Sequence, residues 1–126
     1  MDSFLKQHCS AEWREFINFH KIQKVVEANT YILKEGEQTE GLYVINKGKI
    51  KVVAKDIEGK EVLIRLAADG DILGHRGFGG NWTYPISAIT YEESEITFIP
   101  LNIFNLVAKS NIEFTYHLMM FFAEEL

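Results

Sequence analysis

The chain has one cysteine, Cys9, so no intramolecular disulfide is available, and no Cys/His spacing suits a structural zinc site. Any core must therefore stand on packing. The 126 residues are 47% apolar, and at this length folding hides roughly two-thirds of the unfolded surface, enough for one core without staples. Only two prolines are present and no Pro/Gly/Ser-rich linker divides the chain, which fits a single domain. The longest apolar run, residues 118–123, is far short of the roughly 20 residues that a spanning helix needs. Asp2, Lys6 and His8 leave no signal-peptide core at the N-terminus. Together with the lone thiol, these absences predict a cytoplasmic protein that crosses no membrane.

Arginine is also scarce, with Arg14, Arg65 and Arg76 the only three. Thirteen basic against eighteen acidic residues give a net charge of -5, so phosphate attraction cannot carry this chain onto nucleic acid. Contact with DNA would need another segment. Enzyme signatures are missing too. There is no Gly-x-Ser-x-Gly, the glycine-rich stretch 74–80 lacks a Gly-Lys-Ser/Thr ending, and Cys9 has only the adjacent His8 to activate it. His8, His20, His75 and His117 are far apart with no His-x-His pair, which argues against a cupin-type metal site. The expectation is a protein that binds rather than catalyses and holds no metal.

Regular short strands dominate what is present. Ser10 is a good N-cap residue, and Trp13, Phe16 and Ile17 follow at helical spacing, predicting a short helix over residues 10–20. From Gln23 the period changes to β-favouring runs separated by turns at Gly36, Gly48, Gly59 and Gly70, about a dozen residues apart. Residues 42–54 read as a hairpin around Asn46-Lys47-Gly48-Lys49, and residues 87–90 and 94–100 read as two closing strands. The fold class is mainly β with flanking helices: a jelly roll, or double-stranded β-helix, of about eight strands over residues 23–100. Residues 101–126 predict two helices, with Asn111 capping the second. That helix is apolar nearly all round, through Phe114, Leu118, Met119, Phe121 and Phe122, which asks for a partner. It ends at Glu124-Glu125-Leu126 without a C-cap glycine and with acids where the dipole prefers cations, as though it continued in a longer chain.

Ile32-Leu33-Lys34-Glu35-Gly36-Glu37, Leu42-Tyr43-Val44-Ile45, Gly48 with Ile50-Lys51-Val52, Gly70-Asp71-Ile72-Leu73-Gly74 and Ser87-Ala88 occur in the order seen in one family. Nearly the whole chain resembles the cyclic-nucleotide-binding domain of bacterial Crp/Fnr-type transcription regulators. The resemblance implies a sensor domain over residues 1–126 that pairs as a homodimer through its last helix. It also implies a DNA-binding domain after residue 126. In that family, backbone amides over the stretch matching residues 74–88 cradle a cyclic phosphate, helped by a glutamate and an arginine. The family pattern resembles Phe-Gly-Glu, a spacer, then Arg-Ser/Thr-Ala. Here the matching residues are Leu73-Gly74-His75 and Ile86-Ser87-Ala88, so both ligand-defining side chains are absent.

The candidate ligand residues are Gly74, His75, Arg76, Gly77, Ser87 and Ala88, with Trp82 and Tyr84 as aromatic surroundings. A cyclic nucleotide or another small anion is the implied effector, with cyclic AMP in its usual mode disfavoured by the missing glutamate and arginine. The competing reading is a dimerisation or protein-contact module of the same fold that has lost its ligand.

Overall fold

The computed structural model describes residues 2–124, so Glu125 and Leu126, the end of the expected last helix, lie outside the described residues. Two short helices, α1 (Asp2–His8) and α2 (Ala11–His20), precede the β region. The strands are β1 (Ile22–Val26), β2 (Tyr31–Leu33), β3 (Gly41–Lys47), β4 (Lys49–Lys55), β5 (Glu61–Ala68), β6 (Ile72–Leu73), β7 (Ser87–Thr90) and β8 (Ser94–Pro100). A single 3-10 turn, His75–Gly77, follows β6, and α3 (Leu101–Ser110) and α4 (Ile112–Glu124) close the chain. The strands form two four-stranded sheets in the orders β1-β8-β3-β6 and β2-β7-β4-β5, with every pairing antiparallel. This is the expected eight-stranded roll. No helix among the described residues is long and apolar enough to cross a membrane.

The hairpin expected over residues 42–54 is corrected by the sheet topology. β3 pairs with β8 and β6, while β4 pairs with β5 and β7, so the turn at Gly48 carries the chain from one sheet to the other. Gly48 has φ +137, its N–H donates to Asp69 Oδ1 at 2.8 Å, and a Cβ there would strike Ser94. Gly48→Ala is therefore expected to lower stability by about 2–3 kcal/mol, from a left-handed backbone and a collision with no open side. Urea unfolding would show it as a lower midpoint at unchanged slope.

β3 divides the interior in two because successive side chains point to opposite faces. Leu42 faces outward and joins Ile72, Ile99 and the helices in an outer core, whereas Tyr43 and Ile45 face inward with Ile50, Val52, Leu73 and Ile96. The helical layer packs on the first sheet, α3 against β3 and β8 and α2 against β8. α1, absent from the sequence expectation, contributes Leu5, and Cys9 just beyond it is buried in the same core. Burial pushes the Cys9 thiol up, against a smaller lowering by Arg14, so it is no poised thiolate.

Several helix-end expectations change. Ser10 stands at the α2 N-cap position but makes no side-chain capping bond. Asn111 stands at the α4 N-cap position, its carbonyl accepting the Thr115 N–H at 3.0 Å, while its side chain turns back to close α3, donating from Nδ2 to the Val107 carbonyl at 2.8 Å. The expected dimer face is corrected as well. Phe114 and Leu118 are only 1% and 5% exposed, packed within one chain against α3 and α1, with the Phe114 ring set edge-on to Phe104. Phe121 and Phe122 are half-buried against the same core. Of the five residues expected to face a partner, Met119 alone is on the exposed side, in a stripe with Ile112, Tyr116 and Met120. Their i, i+4, i+7, i+8 spacing makes one continuous helical face.

Candidate functional site

The segment leaving β6 turns sharply at Gly74, whose φ of +91 a side chain would not accept, and this brings the 3-10 turn back under the second sheet. Between them lies a cavity of about 100 Å³. Gly74, His75, Arg76 and Gly77 line one wall, and the Tyr84 ring lines another. Val52, Leu73, Pro85 and Ile86 make the rest apolar.

Three expected residues lie elsewhere. Ala88 is wholly buried among the inner-core side chains. Ser87 is buried beside the cavity without lining it, its Oγ accepting the Glu35 N–H at 2.8 Å. Trp82 stands outside on a left-handed backbone, with its ring near Phe78. A cis bond at Pro85 is not found, since every described peptide bond is trans.

A loop between β2 and β3 braces this region. Tyr84 exchanges backbone bonds with it, its N–H donating to Glu37 O and its carbonyl accepting the Gly36 N–H. The Tyr84 hydroxyl accepts the Glu40 N–H at 3.0 Å and donates to the Gly41 carbonyl at 3.4 Å. Burial pushes its phenol up, so it stays a neutral donor and fixes the ring against the cavity. The Glu35 carboxylate accepts the Lys55 N–H at 2.9 Å, tying the same loop to the end of β4.

The sequence reading missed Arg65. It is the cross-strand partner of Val52, two residues from the inner-core Ala67, and so points inward and lines the cavity. The register skips Ile64, because Val52 pairs with Arg65 and Val53 with Leu63. This bulge lets two consecutive residues, Ile64 and Arg65, share the cavity wall. Only the pairing register reveals this, although an arginine within an apolar strand was its visible sign. Two of the three arginines therefore meet at one cavity that no carboxylate lines. His75 is buried and also packs on Phe122 of α4, with ring centroids 5.4 Å apart, so the cavity wall touches the last helix.

The family model of the cyclic nucleotide-binding domain matches residues 23–111, the whole roll and α3. The cAMP-activated global transcriptional regulator CRP of Salmonella typhimurium is 38% identical over 66 residues, 52% of this chain and 30% of that protein. An uncharacterized protein of Haemophilus influenzae is 31% identical over 104 residues, 82% of this chain and 80% of that one. Among solved structures, the sensor domain of the transcriptional regulator DNR from Pseudomonas aeruginosa superposes with a TM-score of 0.85 at 15% identity, covering 98% of this chain and 87% of that one. The match to CRP thus spans under a third of that regulator, whereas the Haemophilus protein is matched over most of its length. The roll and the glycine-turned segment after β6 lie within the match to the cyclic nucleotide-binding domain family, to which this chain belongs as a domain of the Crp/Fnr type.

Proposed function

We propose that this domain senses a small anionic effector in the cavity behind Gly74 and conveys its occupancy to α4. The single observation that carries this reading is the double role of His75, which lines the cavity and stacks on Phe122. An effector that moves the 3-10 turn moves a side chain on which the last helix rests, and it shifts the equilibrium only if it binds one arrangement more tightly. The exposed stripe Ile112, Tyr116, Met119 and Met120 is the face for a second copy, giving a homodimer. In a longer regulator, a DNA-binding domain following α4 would read that pairing.

Cyclic AMP is a poor candidate. The family's glutamate is replaced by His75 and its arginine by Ile86, and the cavity of about 100 Å³ is well below the roughly 300–1,000 Å³ of ordinary ligand pockets. The same smallness favours the second reading, a dimerisation module without a ligand. A thermal-shift series separates the two, since a ligand at 100 times its dissociation constant stabilises by about 2.7 kcal/mol. Small organic anions are expected to raise the melting temperature and millimolar cyclic AMP to leave it unchanged. A clear shift with cyclic AMP would overturn the effector assignment, and silence across nucleotides and anions would leave the ligand-free module.

A further inference from the structure

We propose that Arg65 and Arg76 form a two-guanidinium clamp for the oxyanion head of a compact organic acid or phosphate ester, whose short apolar body lies against Ile64, Leu73 and Ile86. The inference rests on the sensor reading above and names the ligand class for that site.

Charge is the first argument. The chain carries net charge -5, yet its cavity gathers two of three arginines and no carboxylate. Neither guanidinium has an ion-pair partner among the described residues. A half-buried arginine without a counter-charge keeps its donors for an incoming anion, and the planar fork suits the paired oxygens of carboxylate or phosphate.

Position is the second. The resemblance places the family's arginine at the start of β7, where this chain has Ile86 on the cavity wall. Positive charge stands instead on β5, two strands away in the same sheet, where register with Val52 turns Arg65 inward. Arg76 is exposed at the rim and Arg65 half-buried in the wall, so an oxyanion held by both sits at the mouth with its body inside.

Size is the third. A volume of about 100 Å³ admits a few heavy atoms beyond the head group, and the wall that receives them is aliphatic. A free nucleotide base finds no room without an opening of the β4–β5 hairpin.

The experiment is isothermal titration of the folded chain at low ionic strength with isobutyrate, ethyl phosphate, inorganic phosphate, cyclic AMP and the uncharged isobutyramide. Isobutyrate, ethyl phosphate and inorganic phosphate are expected to bind and isobutyramide and cyclic AMP not to, with ethyl phosphate or isobutyrate the tighter according to the head group the clamp prefers. Arg65→Met is expected to weaken the anions by about tenfold or more, and Arg65→Lys, which keeps the charge but loses the fork, by less. Lys55→Ala should leave affinity unchanged. If Arg65→Met fails to fold by circular dichroism, Arg65→Lys and Arg76→Gln carry the comparison. Anion binding indifferent to either arginine would overturn the clamp. Failure of isobutyrate, ethyl phosphate and inorganic phosphate with binding of cyclic AMP would overturn the clamp while leaving the sensor reading intact, and failure of all five would remove both.

Discussion

Leu118→Asp is expected to leave the chain largely unfolded, whereas Met119→Asp one residue away leaves it folded and monomeric. Leu118 is 5% exposed within the outer core, beside Phe114 and Val107. Removing its side chain there costs about 2–5 kcal/mol, and an unpaired carboxylate adds a desolvation penalty. The sum is comparable with the whole stability of a domain, about 5–15 kcal/mol. Met119 is 55% exposed, so an aspartate meets water in the single chain and changes its stability by only about 0.5 kcal/mol. In the proposed two-fold pairing each substitution counts twice, and the dimer weakens by about a hundredfold or more. Circular dichroism and light scattering on the two variants separate fold from assembly. Equal loss of fold in both would show that the stripe is not a free face, and a dimer unaffected by Met119→Asp would place the interface elsewhere.

A steep alkaline loss of stability is the second large effect. Tyr43 is buried against Phe98 with ring centroids 4.8 Å apart, and burial, reinforced by Tyr84, Glu40 and Glu37, pushes its phenol up to about 12. In the unfolded chain a phenol gives up its proton near pH 10. Between these values the folded chain holds more protons than the unfolded one, so stability falls as pH rises; the contribution is complete below pH 10. At about 1.4 kcal/mol per pH unit this removes about 2–3 kcal/mol by pH 12. Tyr84 is shifted in the same direction by burial and steepens the fall. Urea midpoints for wild type and Tyr43→Phe between pH 9 and 11.5 test this. Parallel curves for the two proteins would show that Tyr43 carries no such linkage.

Strand number and the glycine turns were readable because β-branched runs and left-handed corners leave local marks. The partners of those strands were not. β3 and β4 look like a hairpin since a tight turn joins them, yet a roll needs corners that switch sheets, and nothing local to Asn46-Lys47-Gly48-Lys49 distinguishes the two. α1 was invisible because Leu5 is the core contact among its described side chains, with Cys9 four residues on, too little to show a period. In α4 the apolar residues cover two faces, and sequence alone cannot tell which one the same chain buries. The candidate site was half legible: Gly74 to Gly77 came from contiguous residues, while Arg65 reaches them through strand register across the roll.

β5 is the outer strand of its sheet, bonded to β4 on one side only, and it presents Val62, Leu63, Ile64 and Leu66 to solvent. A straight apolar edge of this length is a template on which a strand from another molecule can grow, the first step of aggregation. The extra residue at Ile64 breaks the rhythm of that template, because a bulge bends the strand and leaves one residue outside the ladder. One irregularity of the backbone thus shapes the cavity and interrupts the exposed edge at its rim.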